Sequence, residues 1–159
     1  GYINIADVPA LTFPITVTVG AGGAAVAPTS GGSNGIHGAD SSFGTIIVCQ
    51  GGRRGVAATT TNSGGAGGSV NITDPDTILN DVMRISGTSG RVSSTTAAIG
   101  GDGGDSFLGR GGNGNINGGG ITTTASVGYG AGGSGTYSNS TSQAGVAGTD
   151  GIVIITEYF

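Results

Sequence analysis

The chain has 159 residues, enough for one domain, with 37 glycines, no tryptophan and only four residues each of phenylalanine and tyrosine. Its net charge of −4, with five arginines and no lysine, cannot supply the many phosphate contacts that a nucleic-acid binder needs. No apolar run approaches the length of a membrane span, and the lone Cys49 excludes an intrachain disulfide framework.

In chain order, the first expected elements are short strands. Tyr2 to Ile5 reads as one. Ile15, Val17 and Val19 alternate with Thr16 and Thr18 and predict a half-buried strand ending at Gly20. Thr45 to Cys49 is a third. Residues 69–86 contain no glycine. There Asp74 reads as an N-cap, Pro75 as a first helical residue, and Ile78, Leu79, Val82 and Met83 fall at helical spacing before Gly87. This predicts a short helix near 75–85. The run Ile152-Val-Ile-Ile155 is β-branched throughout and predicts a strand buried on both faces, pairing the two ends of the chain.

Between these elements lie glycine clusters that read as irregularly spaced. Glycine and proline make up about a quarter of the chain, a level that usually signals disorder. The charged fraction of 9% and the apolar runs argue instead for a folded chain. Glycine and alanine offer little apolar area to bury, so stability must come from backbone hydrogen bonding, close backbone packing or other chains. Polyproline-II-type helices have no internal hydrogen bonds and must bond to neighbours when buried. Glycine lets such backbones approach closely. The expected class is therefore mostly irregular and β, with packed glycine-rich rods closed by a few short strands. The polar stretches between rods become loops gathered at the two ends of the bundle.

Several motifs suggest chemistry. Gly100-Gly-Asp-Gly-Gly-Asp105-Ser-Phe-Leu matches a calcium nonapeptide, making Asp102 and Asp105 candidate ligands, but no second copy follows it. The alternative is a turn whose aspartates cap backbone N–H groups. Gly128-Tyr-Gly-Ala-Gly-Gly133 matches G-x-G-x-x-G without the strand and helix that dinucleotide binding needs. His37, the only histidine, lies near Asp40, Ser41 and Ser42 without an oriented base, and in a trimer three copies could converge on an axial metal. The expectation is no catalysis, no cofactor and no resident metal. Cys49 reads as a buried inert thiol. Tyr129 reads as packed inside its glycine block. Arg53 and Arg54 read as solvated turn residues or as contacts to an acidic group on a partner.

Taken in order, Thr16-Val-Thr-Val-Gly-Ala-Gly-Gly23, Ser41-Ser-Phe-Gly44 with Gly51-Gly52, Gly64-Gly-Ala-Gly-Gly68, Gly100 to Phe107, Tyr129-Gly-Ala-Gly-Gly133 and Gly151-Ile-Val-Ile-Ile-Thr-Glu-Tyr158 resemble the glycine-rich C-terminal tip domain of bacteriophage tail fibre proteins. The chain is also loosely similar to the adhesins that cap T-even-like phage fibres. The resemblance implies a receptor-binding tip of polyglycine-II rods at the distal end of a fibre on the virion. It implies one domain over 1–159, the C-terminal piece of a longer fibre protein, assembled as a homotrimer or set as a monomeric cap on a trimeric shaft. Loops 53–62, 87–97, 113–124 and 136–144 would carry specificity, with Arg53, Arg54, Thr60, Asn62, Arg91, Asn115, Tyr137 and Asn139 as candidate contacts. The partner would be a bacterial surface receptor, either lipopolysaccharide or an outer-membrane protein, with no membrane insertion. A structural glycine-rich filament or matrix protein and an ice-binding bundle are the alternatives.

Overall fold

The computed structural model describes residues 13–27, 32–57, 64–72, 85–93, 99–114, 123–136 and 144–156. Among them no helix occurs, and the regular structure is two small antiparallel sheets. The larger contains, in order, β1 (Val17–Thr18), β2 (Ser41–Phe43), β3 (Ile47–Cys49) and β4 (Val70–Ile72). Its register places Val17 opposite Phe43, Ser42 opposite Val48, and Val48 opposite Asn71. The smaller pairs β5 (Gly109–Arg110) with β6 (Val127–Gly128).

Most of the described chain lies outside the sheets, in glycine-rich segments that run back and forth. Their hydrogen bonds advance by three residues on both partners. Gly145, Gly148 and Gly151 donate to Val26, Gly23 and Gly20. Gly35 and Gly38 donate to Gly55 and Gly52, Gly87 and Gly90 to Gly68 and Gly65, and Gly132 and Gly135 to Gly104 and Gly101. A β ladder repeats every two residues, so these contacts are not strand pairing. Burial follows the same period: Gly20 and Gly23, Gly52 and Gly55, Gly101 and Gly104, and Gly111 and Gly114 are buried. The glycine spacing is thus regular within each segment, contrary to the irregular reading of the clusters. The repeat G-x-x-G is visible at Gly32/Gly35/Gly38, Gly87/Gly90 and Gly145/Gly148/Gly151 once short segments are read separately.

The interior is main chain. Residues 131–136 are all buried and form the centre. Around them, Gly132 and Gly135 bond to 101–104, Gly133 O accepts from Gly55, Gly132 O accepts from Gly112, Ser134 donates to Val146, and Thr136 donates to Ser33. Among the described residues, Ile47, Ala57 and Ala131 are the buried apolar side chains. Approach is close enough that a Cβ on Gly103 would lie 2.0 Å from the carbonyl oxygen of Gly132.

Several expectations change. The strand at 15–19 shortens to Val17–Thr18, and both residues are exposed. The strand at 45–49 becomes Ile47–Cys49, because 44–46 form the hairpin turn, with Gly44 at φ 54°. The run 152–155 forms no strand and is not buried on both faces: Ile152, Ile154 and Ile155 are exposed. The first and last parts of the described chain do meet, through 20–26 and 145–151, whose glycines allow closer contact than isoleucines would. Tyr2 to Ile5 and residues 75–84 of the expected helix lie outside the described residues, and Ile85 is not helical.

Candidate functional site

Successive segments alternate in direction, which sorts their connections between two ends. Segments 20–26, 50–57, 85–93, 109–114 and 129–136 run one way, and the segments between them run back. At one end Val26 accepts from Gly145, Ser33 from Thr136, Val56 from Gly101 and Thr124 from Asn113. The described residues flanking 28–31, 58–63, 94–98, 115–122 and 137–143 all lie at this end. The opposite end carries β1 to β4 and the turns at 107–108 and 128–130.

The end flanking these five connections is held by polar side chains that bond across segments. Thr136 and Ser134 have no solvent exposure. Thr136 Oγ1 accepts the Ser33 N–H at 2.7 Å, Ser134 Oγ accepts the Val146 N–H at 3.2 Å, and Asn34 Oδ1 accepts the Ala57 N–H at 2.8 Å. Each takes an N–H that a loop would otherwise leave unpaired. No buried side-chain nitrogen or oxygen among the described residues lacks a partner.

The aspartates serve the same purpose along the bundle. Asp102 Oδ1 accepts the Gly114 N–H at 2.7 Å and pairs with Arg91 at 3.0 Å. Asp105 Oδ1 accepts the Gly111 N–H at 2.7 Å, and its Oδ2 accepts the Thr88 hydroxyl at 3.2 Å. Three residues apart, the two carboxylates fasten 99–106 to 109–114 on one side and to 85–93 on the other. Their capping role fits the alternative reading of the motif, except that the N–H groups belong to a neighbouring segment rather than to a local turn. Among the described residues no group of three or more His, Cys, Asp or Glu side chains could hold a metal.

Of the expected contact residues, Arg53, Arg54 and Arg91 lie within packed segments rather than loops. Gly55 and Ala57 are buried, which extends the packed segment past the arginines and moves the expected loop boundary from 53 to about 58. Arg53 is exposed and Arg54 half-buried. They share one flank with His37, whose Nδ1 accepts the Arg54 N–H at 3.1 Å, so the neutral ring carries its proton on Nε2. Desolvation, then the charges of Arg54 and Arg53, holds the His37 pKa below its ordinary value. Metal binding through Nδ1 would break the Arg54 bond. Arg91 is tied to Asp102 rather than free. Thr60, Asn62, Asn115, Tyr137 and Asn139 lie outside the described residues.

Two further residues differ from expectation. Tyr129 is half exposed at the sheet end, because Gly128 and Gly130, at φ 81° and 70°, turn the chain there and leave its side chain outside. Its carbonyl accepts the Ser106 hydroxyl. Cys49 is only partly buried and borders an open cavity of about 640 Å³. That cavity lies at the sheet end between β2 to β4 and the strip 152–156, with Phe107, Leu108 and Tyr129 at its edge. Sequence reading did not anticipate it, because its walls come from seven separate stretches of chain. Comparison of the chain with protein families, curated proteins and solved structures finds no match.

Proposed function

We propose that this chain is a receptor-binding tip of a phage tail fibre, in which a bundle of polyglycine-II-type rods presents five loops at one end to the bacterial surface. The three-residue step of the hydrogen bonds and of the buried glycines supports the rod assignment, since this helix has three residues per turn. The carrying observation for function is that five of the six internal connections outside the described residues are flanked by residues at the same end, while the sixth, 73–84, is flanked by β4 and Ile85 at the sheet end. Loops held on a rigid scaffold are where binding commonly sits.

The five connecting sequences, Pro28 to Gly31, Ala58 to Ser63, Ser94 to Ala98, Asn115 to Thr122 and Tyr137 to Gln143, contain no charged residue. They are rich in hydroxyl and amide groups. That chemistry suits a neutral sugar or exposed peptide backbone better than a phosphate, and Tyr137 adds one aromatic face for a sugar ring. Loop contacts of modest strength suffice, because many fibres engage one cell.

The test is binding of the folded chain to a panel of bacterial strains with and without lipopolysaccharide or porins. Saturable, strain-dependent binding that follows one surface component is expected. Uniform absence of binding from a folded sample would overturn the proposal.

A further inference from the structure

The hydrogen bonds that join segments 32–40 and 50–57 are of two alternating kinds. The Gly35 and Gly38 N–H groups donate to the Gly55 and Gly52 carbonyls at 2.9 and 3.1 Å. Between and beyond them, three N–H groups of 50–57 donate to side chains instead. Ala57 donates to Asn34 Oδ1 at 2.8 Å, Arg54 to His37 Nδ1 at 3.1 Å, and Gly51 to Asp40 Oδ1 at 3.1 Å. Donors and acceptors each step by three residues. Asn34, His37 and Asp40 therefore form a row, one turn apart, whose side chains take the place of carbonyls.

The three rungs differ in what a proton does to them. An amide oxygen accepts at any pH, and a carboxyl oxygen keeps acceptor capacity whether charged or not. An imidazole does not: its second proton goes onto the accepting nitrogen, and both nitrogens then donate. Protonated His37 would point an N–H at the Arg54 N–H. Its side chain is exposed, so the ring can swing into solvent and leave the Arg54 N–H to water.

The surroundings favour the closed rung. Desolvation opposes protonation of His37, and so do the charges of Arg54 and Arg53. Segments 20–26 and 131–136, which also pack against 32–40, carry no titratable side chain. Nor do 28–31 and 58–63, the connections that continue the two segments. Within 32–40 the other titratable group is Asp40, already engaged by the Gly51 N–H.

We propose that His37 is a pH-operated latch between 32–40 and 50–57. The neutral ring closes the middle rung. The protonated ring turns out, and that rung is lost while the Asn34 and Asp40 rungs hold. Because protonation is opposed, the latch stays closed at neutral pH and opens only below 6.5. The two segments lead directly into connections 28–31 and 58–63, so acid slackens the base of these two and leaves the rest of the fold bonded. This inference does not depend on the receptor reading.

The test is amide hydrogen exchange by NMR on the 159-residue chain, from about pH 8 to about pH 5, with each rate divided by that of an unstructured amide at the same pH. Protection of the Arg54 amide should fall about two- to tenfold as His37 titrates, while the Gly51 and Ala57 amides keep theirs. His37→Asn sets an amide oxygen where Nδ1 stands and cannot titrate, so Arg54 protection in that variant should be flat across the range. Arg53→Gln should move the opening to higher pH. Arg54 protection that stays constant while His37 titrates overturns the inference. So does an equal loss at Gly51 and Ala57, since the segments then part as a whole rather than at one rung. A pH dependence that survives His37→Asn overturns it too. Should His37→Asn fail to fold, comparison of the three amides in the parent chain decides. Receptor binding is read separately on the panel of strains, so failure of one proposal leaves the other standing.

Discussion

Replacing Gly103 with alanine tests whether backbone truly fills the interior. The added Cβ would lie 2.0 Å from the Gly132 oxygen, 2.4 Å from the Gly132 carbon and 2.8 Å from the Gly133 oxygen. No flexible side chain can yield there, so two segments must separate. Overpacking of this kind costs roughly 1–3 kcal/mol. Separation also stretches the bonds from Gly132 to Gly104 and from Gly112 to Gly132, each worth about 1 kcal/mol. A loss of about 3 kcal/mol or more follows, which in a chain of this size lowers Tm by about 6–12 °C. Gly38→Ala is the control. Its Cβ would meet nothing closer than 3.6 Å, an ordinary contact. There the reduced freedom of the unfolded chain should stabilise by about 0.4–1 kcal/mol. Thermal melting followed by circular dichroism reads both variants. Equal effects, or a Gly103→Ala variant melting with the parent, would refute the close packing of 99–106 against 129–136.

Other expectations concern the polar groups. Asp102→Ala should cost about 1–3 kcal/mol in chemical denaturation because it removes the partner of the Gly114 N–H, while Arg91→Ala, removing only a half-exposed ion pair, should cost under about 1 kcal/mol. His37 should titrate below 6.5 by NMR, and Arg54→Gln should raise its midpoint. Because the folded ring resists protonation, the unfolded chain binds more protons in this window, so stability should decline as pH falls through 6.5 toward the folded pKa. Under the receptor proposal, Tyr137→Ala should weaken adsorption to receptor-bearing cells by about tenfold or more; unchanged adsorption would remove Tyr137 from the contact set.

What the sequence made legible was mostly local. Low charge and abundant glycine pointed to a backbone interior, whereas most of the polar stretches read as loops lie outside the described residues. The turn at Gly44 shortened an expected strand that was otherwise placed correctly at Ile47–Cys49. The three-residue repeat was missed because no segment is long enough to display it more than two or three times. The fate of Ile152 to Ile155 was missed for a different reason. A β-branched run states that burial is favourable but does not name the covering surface, and within the described chain no strand lies against it. Arg91 looked like a loop contact because its partner Asp102 is 11 residues away on a separate segment. Which residues join across segments is set by the three-residue register, and that register emerges only when many segments pack together.

An interior of peptide groups rather than apolar side chains changes how this protein should respond to temperature. The heat capacity of unfolding rises with exposed apolar area and falls with exposed polar area. Here unfolding exposes few large apolar side chains and many buried amides, so the increment should fall below the roughly 12–15 cal/mol/K per residue of ordinary domains. A small increment flattens the curve of stability against temperature. Cooling then weakens the fold little, since little of its stability is hydrophobic to begin with. The glycine-rich chain should keep nearly constant stability across a wide range of temperatures.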